Sequence, residues 1–312
     1  MSVKQSRTVF VTGANGFIGA NLIRLLLKKN YKVHALVRKN ANLWRIKEVI
    51  KDIKVHNADI CDGNSLKRIL TEVKPDYIFH LASYGNSSED TDLNEMVNIN
   101  VLGLTNLLEA TKNIKYKKLI VTGTSSEYGF KTKPMRETDI LVPNSYYSAT
   151  KGSATLIAQS FAILNSKPIA IVRPFSVFGP YEEENRLIPI VIKLALSNKA
   201  INLTSKTARR DFIYVKDIAA AFLKIANSNL KPGEIINLGT GKQSSNYDVV
   251  KIIGKILNQK LSVMVGTFPK KPWDSDYWVT DTTKTSRILH WNPKYSLENG
   301  LKETIAFYKN KS

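Results

Sequence analysis

The sequence predicts an α/β protein, a Rossmann-type doubly wound parallel sheet with a smaller C-terminal substrate-binding lobe. Three observations predict it. Short apolar runs alternate with helix-period segments over residues 1–173. A glycine-spaced loop, Gly13-Ala-Asn-Gly16-Phe-Ile-Gly19, joins the first run to the first such segment. The rhythm becomes irregular over residues 174–312, where Phe178-Gly179-Pro180 and Lys231-Pro232-Gly233 are turn signals. Strands alternating with helices imply right-handed crossovers, so the sheet should be covered on both faces and wind both ways from its first strand.

Taken in order, Arg7–Thr12 reads as a strand, Phe17–Lys29 as a helix and Tyr31–Val37 as a second strand. Ile53–Asn57 is the third strand and Gly63–Val73 its following helix. Asp76–Ala82 reads as a strand, Asn94–Thr111 as one helix and Lys118–Thr122 as a strand. A long helix from Ser145 to Leu164 precedes a strand at Pro168–Arg173. Residues 174–312 are expected partly to rejoin the sheet and partly to form the small lobe. A ligand crevice is expected at the carboxyl ends of the strands, between the lobes.

Composition removes several function classes. At 312 residues the chain is long enough to bury a core without staples. The single Cys61 excludes an intramolecular disulfide and a Cys-rich zinc cluster, and four scattered His give no metal site. No apolar run approaches the ~20 residues of a membrane span, and Met1–Phe10 lacks a signal-peptide core. A cytoplasmic protein is expected. Lys+Arg number 46 against 26 Asp+Glu, a net charge of +20 spread along the chain. That pattern fits a lysine-rich solvated surface or a cleft attractive to small anions; no basic segment or RNA-binding signature points to nucleic acid.

The glycine loop carries the first chemistry. Its glycines allow a tight turn and close backbone approach, and the helix N-terminus it opens attracts a pyrophosphate. A purely structural turn is the alternative. Strand two ends Leu36-Val37-Arg38-Lys39, without the carboxylate that holds an NAD ribose. Arg38 suits the 2′-phosphate of NADP, so NADP is favoured over NAD; a plain surface arginine is the other reading. Asp59 can accept from an adenine amine or simply shape a turn.

Tyr147-Ser-Ala-Thr-Lys151 places a phenol and an ammonium on one helix face. The lysine charge favours the phenolate, drawing its pKa from ~10 toward working pH, so that the phenol can exchange a proton at an alcohol or carbonyl. The spacing alone is weak, and Tyr247-Asp-Val-Val-Lys251 repeats it. Position separates the two: Tyr147 opens the long helix after the hydroxyl-rich strand end Thr122–Gly129, whereas Tyr247 lies in the C-terminal lobe and reads as packing.

With these residues in place the chain resembles the extended short-chain dehydrogenase/reductases, of the NAD(P)-dependent nucleotide-sugar epimerase/dehydratase/reductase type, over nearly its whole length. The resemblance rests on VTGANGFIG at Val11–Gly19, Asp59, HLAS at His80–Ser83, NVLG at Asn100–Gly103 and TSSEYG at Thr124–Gly129. It continues through YSATK at Tyr147–Lys151, RPFSVFGP at Arg173–Pro180, RRDFIYVKD at Arg209–Asp217 and NLGTG at Asn237–Gly241. It implies Tyr147 as acid/base, Lys151 on the nicotinamide ribose and Thr124 on the reacting sugar oxygen. Cofactor contacts are implied at Gly13, Asn15, Gly16, Phe17, Ile18, Gly19, Arg38, Asp59, Ile60, Leu81, Ala82, Tyr147 and Lys151. Substrate contacts are implied at Tyr84, Ser125, Ser126, Ser176 and Arg210, the last near a nucleotide diphosphate. A homodimer through a bundle of the helices containing Asn100 and Tyr147 is also implied.

Departures from the family pattern narrow the reaction. Related 4,6-dehydratases carry an acid in the two positions after Thr124, to expel the C6 hydroxyl; here Ser125 and Ser126 stand there, with Glu127 one residue later. Ser176 replaces a frequent Asn. The segments GTSSEYG and ALVRKN look more like 4-keto sugar reductases than UDP-galactose epimerases. The leading expectation is therefore a 4-keto sugar reductase or sugar 4-dehydrogenase. The alternative is a nucleotide-sugar 4-epimerase, which oxidises C4 and returns hydride to the other face. A dehydratase or a non-catalytic relative ranks lower. The segments Tyr84–Asp92, Tyr181–Leu187 and Lys271–Trp278, with aromatic Trp273, Tyr277 and Trp278, are expected near substrate or packed in the lobe.

Overall fold

The computed structural model describes residues 7–87, 90–267 and 275–310. The expected contact of Trp273 lies outside the described residues. The chain falls into two compact units: Met1–Glu127, Ser145–Arg173 and Ala219–Ile236 form the first, and Tyr128–Asn144, Pro174–Ile218 and Asn237–Ser312 the second.

The elements run β1 (Thr8–Thr12), α1 (Phe17–Lys28), β2 (Lys32–Val37), β3 (Lys54–Asn57), α2 (Gly63–Val73) and β4 (Tyr77–His80). Next come α3 (Leu93–Val97), α4 (Gly103–Thr111), β5 (Lys118–Thr122), α5 (Tyr146–Leu164), β6 (Ile169–Pro174), β7 (Ser176–Phe178) and α6 (Leu187–Leu196). The chain ends with β8 (Ile201–Leu203), β9 (Arg209–Arg210), β10 (Phe212–Tyr214), α7 (Val215–Ala226), β11 (Glu234–Leu238), β12 (Ser244–Ser245), α8 (Asn246–Leu257), β13 (Val263–Val265), α9 (Thr283–Leu289) and α10 (Leu297–Lys309).

Seven strands form one sheet in the order β3-β2-β1-β4-β5-β6-β11. The pairs from β3 through β6 are parallel, with Val11 opposite both Ala35 and Phe79. This is the doubly wound arrangement, and its order reverses between β1 and β4. The segments leaving those two strands therefore flank the switch point where such sheets bind ligands. Alternate strand residues face helices on opposite sides. On one side Phe10, Ile78, Leu119 and Ile171 pack on Leu66 and Leu70 of α2, Leu104 and Leu108 of α4, and Ala154, Ala158 and Ala162 of α5. The alanines of α5 let it lie close to the sheet. On the other side Phe79 stacks on Phe222 at 6.3 Å.

Two elements differ from expectation by more than one residue at a boundary or by an interruption, each for a local reason. The strand expected over Asp76–Ala82 ends at His80, because the Ala82 N–H donates to the Thr12 side-chain oxygen at 3.2 Å instead of to a ladder carbonyl. The helix expected as one piece over Asn94–Thr111 is widened at Asn98–Leu102 into a π-helical turn. There the buried Asn100 amide donates to Tyr84 O (2.8 Å) and Thr150 Oγ1 (3.0 Å), and its oxygen accepts from Tyr84 N (2.9 Å). Such turns recur at functional sites.

In the second unit β7 pairs with β10 and β8 with β13 in parallel, while β9 and β12 are antiparallel. Among the described residues no helix is long and apolar enough to cross a membrane, and no cluster of His, Cys, Asp and Glu could hold a metal.

Candidate active site

The glycine loop is built for close approach. Gly13 sits at φ +65°, and a Cβ there would stand 2.6 Å from Ala82 N. A Cβ on Gly19 would stand 2.2 Å from Gly13 O, so glycine lets the first turn of α1 close over the loop. The N-cap of α1 is Gly16, which has no side chain to satisfy the first N–H groups, and the first turn holds no acid. An uncapped, acid-free helix N-terminus beside a glycine turn suits a pyrophosphate. Asn15 anchors the loop by donating to Asn42 O at 3.1 Å, and Phe17 and Ile18 are half-buried in the same turn.

At the neighbouring edge, Asp59 follows β3 and accepts from Cys61 N at 2.8 Å. Ile60 is buried against the spot where Gly103 lacks a side chain. Arg38 is exposed just past β2, where no carboxylate stands. Leu81 and Ala82 follow β4 beside Gly13. These residues fit a dinucleotide laid across the strand ends.

The catalytic candidates ride on α5. A capping box starts this helix: Ser148 N donates to Ser145 Oγ (3.2 Å) and Ser145 N to Ser148 Oγ (3.0 Å). Tyr147, Lys151 and Thr155 follow at four-residue intervals and so share one face. Lys151 is 3% exposed and donates from Nζ to Thr122 O at 2.6 Å. Burial pushes its ammonium down to about 8, with Glu127 opposing that displacement. Below that value Lys151 carries the charge that favours a Tyr147 phenolate. His80 is buried too, paired through Nδ1 with Thr12 Oγ1 at 2.8 Å, and burial lowers it to about 3, so it stands neutral near Lys151.

The hydroxyl-rich segment after β5 turns over a buried carboxylate that sequence reasoning passed by. Glu127 accepts from Thr124 N (2.8 Å), Thr155 Oγ1 (3.1 Å) and Arg173 Nε (2.7 Å). Neither member of the Glu127–Arg173 pair is more than 2% exposed. Burial raises the Glu127 carboxyl, while Arg173 and Lys151 pull it back. The signal available in sequence was Glu127 in TSSEYG together with Arg173 at the end of β6; neither alone announces an ion pair. A Cβ on Gly123 would lie 2.4 Å from Glu127 Oε1, so this turn closes only over glycine. Thr124 Oγ1 accepts from Ser126 N at 3.2 Å. Ser125 is buried and Ser126 half-buried. The first unit thus brings together Thr124, Ser125, Ser126, Lys151 and Glu127 around one turn, with Tyr84 held by Asn100 beside α5.

In the second unit, Arg210 donates from Nη1 to Ser275 O (2.9 Å) and to Arg209 O, with its guanidinium 5.4 Å above the Trp278 ring. Trp278 is itself packed with Tyr128, Met135 and Phe175, which accounts for it as a lobe residue. Next door, the buried Asp211 accepts from Thr240 N and Oγ1, Gly241 N and Thr280 N, tying the NLGTG turn to this strand. Ser176 donates its N–H to Asp211 O at 3.0 Å and opens β7.

The model of the NAD dependent epimerase/dehydratase family matches residues 9–239. A UDP-glucuronate 4-epimerase of Thermodesulfobacterium geofontis is 33% identical over 96% of this chain and 95% of its own. A dTDP-glucose 4,6-dehydratase of Shigella flexneri is 27% identical over 96% of this chain and 92% of its own. Among solved structures, the UDP-glucuronic acid 4-epimerase of Bacillus cereus, in complex with UDP-glucuronic acid and NAD, superposes with a TM-score of 0.88 at 28% identity, covering 98% of this chain and all of that one. With a glycine-cradled helix N-terminus, a Tyr-x-x-x-Lys helix and a family match that spans both, the chain belongs to the NAD-dependent epimerase/dehydratase family of enzymes.

Proposed function

We propose that the protein is a nucleotide-sugar 4-epimerase that inverts C4 of a UDP-hexuronate. The observation that carries this reading is the turn after β5. Its one acid, Glu127, is fully buried and spent on Arg173, Thr155 and the Thr124 N–H. The two residues after Thr124 are serines. No carboxyl group of this turn is left to expel a C6 hydroxyl, which disfavours dehydration. A site offering hydroxyls in place of carboxylates also tolerates a negative charge at C6, where an acid would repel it.

In this reading Tyr147 removes the O4 proton as C4 is oxidised and returns it as C4 is reduced. Lys151 holds a positive charge beside it, and Thr124 orients O4. Gly13, Asn15, Gly16, Phe17, Ile18, Gly19, Asp59, Ile60, Leu81 and Ala82 hold an NAD(P), with Lys151 on its nicotinamide ribose. When bound, the dinucleotide supplies reversible acceptance of a hydride from C4. Tyr84, Ser125, Ser126, Ser176 and Arg210 are the proposed substrate contacts, Arg210 for the diphosphate. Apolar side chains on the outer face of α5, among them Leu156, Ile163 and Leu164, stand exposed together with Leu102 at the π turn and support a homodimer through these helices.

A second reading, a 4-keto sugar reductase that exchanges NADPH, is favoured by Arg38 standing where a ribose-binding carboxylate would be. The two differ in net chemistry. An epimerase converts UDP-glucuronate to its C4 epimer with no added cofactor and no net change in absorbance at the NADH band; a reductase consumes NADPH in proportion to product. Proton NMR of the sugar H4 during incubation decides between them.

A further inference from the structure

Two opposite charges lie buried where the end of β5 meets α5, both in the first unit. Lys151 is 3% exposed and Glu127 fully buried. Lys151 Nζ donates to Thr122 O at 2.6 Å. At the next residue, a Cβ on Gly123 would stand 2.4 Å from Glu127 Oε1 and 3.1 Å from Thr155 Oγ1. Thr155 lies one turn beyond Lys151 on α5 and donates to that same Glu127 oxygen at 3.1 Å. The ammonium and the carboxylate therefore meet the dipeptide Thr122-Gly123 from neighbouring positions, and each acts on the other through space.

The titratable groups around Lys151 come from four elements. Tyr147 stands one turn earlier on α5. His80 comes from β4, and burial holds its ring neutral, lowered to about 3. Glu127, in the turn after β5, raises the Lys151 ammonium against the lowering that burial imposes. Arg173 comes from β6 and donates from Nε to Glu127 Oε2 at 2.7 Å. Burial alone would favour a protonated Glu127, and Arg173 opposes that. The order Arg173, Glu127, Lys151, Tyr147 alternates in sign, each buried charge sustained by the next. The hydrogen bonds that Glu127 accepts from Thr124 N and Thr155 Oγ1 ask only for an oxygen acceptor. A full negative charge is costly to bury, and its beneficiaries are the two cations.

We propose that Glu127 is a positioning residue for the proton transfer: its carboxylate keeps Lys151 charged and so sets the upper pH at which Tyr147 can work. This deepens the proposed function and rests on its assignment of Tyr147 and Lys151. It applies to C4 inversion and to 4-keto reduction alike, because both use that pair.

The test compares wild type, Glu127→Gln, Glu127→Asp and Lys151→Met across neutral and alkaline pH. Two profiles are followed: kcat/KM for C4 inversion of UDP-glucuronate, and NAD affinity by calorimetric titration, which needs no sugar. The alkaline limb that Lys151→Met removes is the one that reports Lys151. Glu127→Gln keeps the size and an acceptor oxygen but loses the charge, so this limb should move to lower pH by about one unit or more. Glu127→Asp keeps the charge, so its limb should stay near that of the wild type while the shorter side chain slackens the turn and lowers the plateau. A residue that merely held the Thr124 turn would lower the plateau in both variants and leave the limb in place. That result, or wild-type profiles with no limb for Lys151→Met to remove, overturns the proposal. Should UDP-glucuronate not turn over, the C4-inversion reading fails, and the NAD profile still decides this one. Should Glu127→Gln fail to fold, Glu127→Gln/Arg173→Met removes both charges of the buried pair and should show the same downward shift; an unmoved limb there contradicts the proposal equally.

Discussion

Two helices of this molecule begin with the same local grammar and end in different chemistry. In α5 and in α8 a serine N-cap closes a capping box, a tyrosine stands two residues on, and a lysine follows four later. In α8 the lysine is exposed, and its ammonium sits 4.5 Å over the face of the Tyr247 ring, with Lys206 on the same ring at 5.2 Å. That is an ordinary surface cation–π pair. In α5 the lysine is buried, bonded to Thr122 O and faced by Glu127 and His80. Spacing sets which side chains are neighbours; burial and the third partner decide whether the pair can move a proton.

The comparison is broken most sharply at the phenols. Tyr147→Phe should lower kcat by about 10²–10⁴-fold, whereas Tyr247→Phe should leave it within about twofold, measured as C4 inversion of UDP-glucuronate. Gly13→Ala should be nearly as severe by another route. Its Cβ would meet Ala82 N at 2.6 Å at a positive φ, so the loop must move, and NAD titration should show affinity reduced by at least about 10-fold.

The lysines differ in how pH reads them. Lys151 is protonated below about 8 and loses its charge above it, because burial lowers it from 10.5. Activity that depends on its charge should therefore fall as pH rises through about 8 in the free enzyme, giving an alkaline limb in kcat/KM. Lys151→Met should remove that limb along with most activity, and Lys251→Met should leave the profile unchanged.

Stability offers a smaller contrast. Glu127→Ala strands a buried Arg173 and should cost about 3–5 kcal/mol in denaturant unfolding. Glu127→Leu/Arg173→Met, which removes both charges, should regain most of it while activity stays low because the Thr124 turn has lost its holder. Ser245→Ala removes only a cap on α8 and should cost about 1 kcal/mol with no effect on turnover.

Much of this was legible in the chain. The alternation of runs located six of the seven strands of the sheet, β1 to β6, to within a few residues, and α2 and β5 lie at the expected positions, whereas β11 was expected only as a partial return of residues 174–312 to the sheet. The glycine loop and Tyr147-x-x-x-Lys151 were visible because a backbone approach and a helix face are local properties. What was not legible depends on partners far apart in sequence. Glu127 and Arg173 are separated by 46 residues, and Asn100 reaches Thr150 only through a π turn that no periodicity announces. Arg38 stays open between two uses for a related reason. A charged residue at a strand end has many uses, and the reductase reading that leaned on it receives less support from the relatives than the epimerase reading does.

The central claim is C4 inversion without net redox change. Purified protein, with no dinucleotide added, should convert UDP-glucuronate to its C4 epimer by proton NMR and release a stoichiometric NAD(P) when denatured. A requirement for added NADPH consumed one-for-one with product, or a 4-keto-6-deoxy sugar formed from a UDP- or dTDP-hexose, would contradict it.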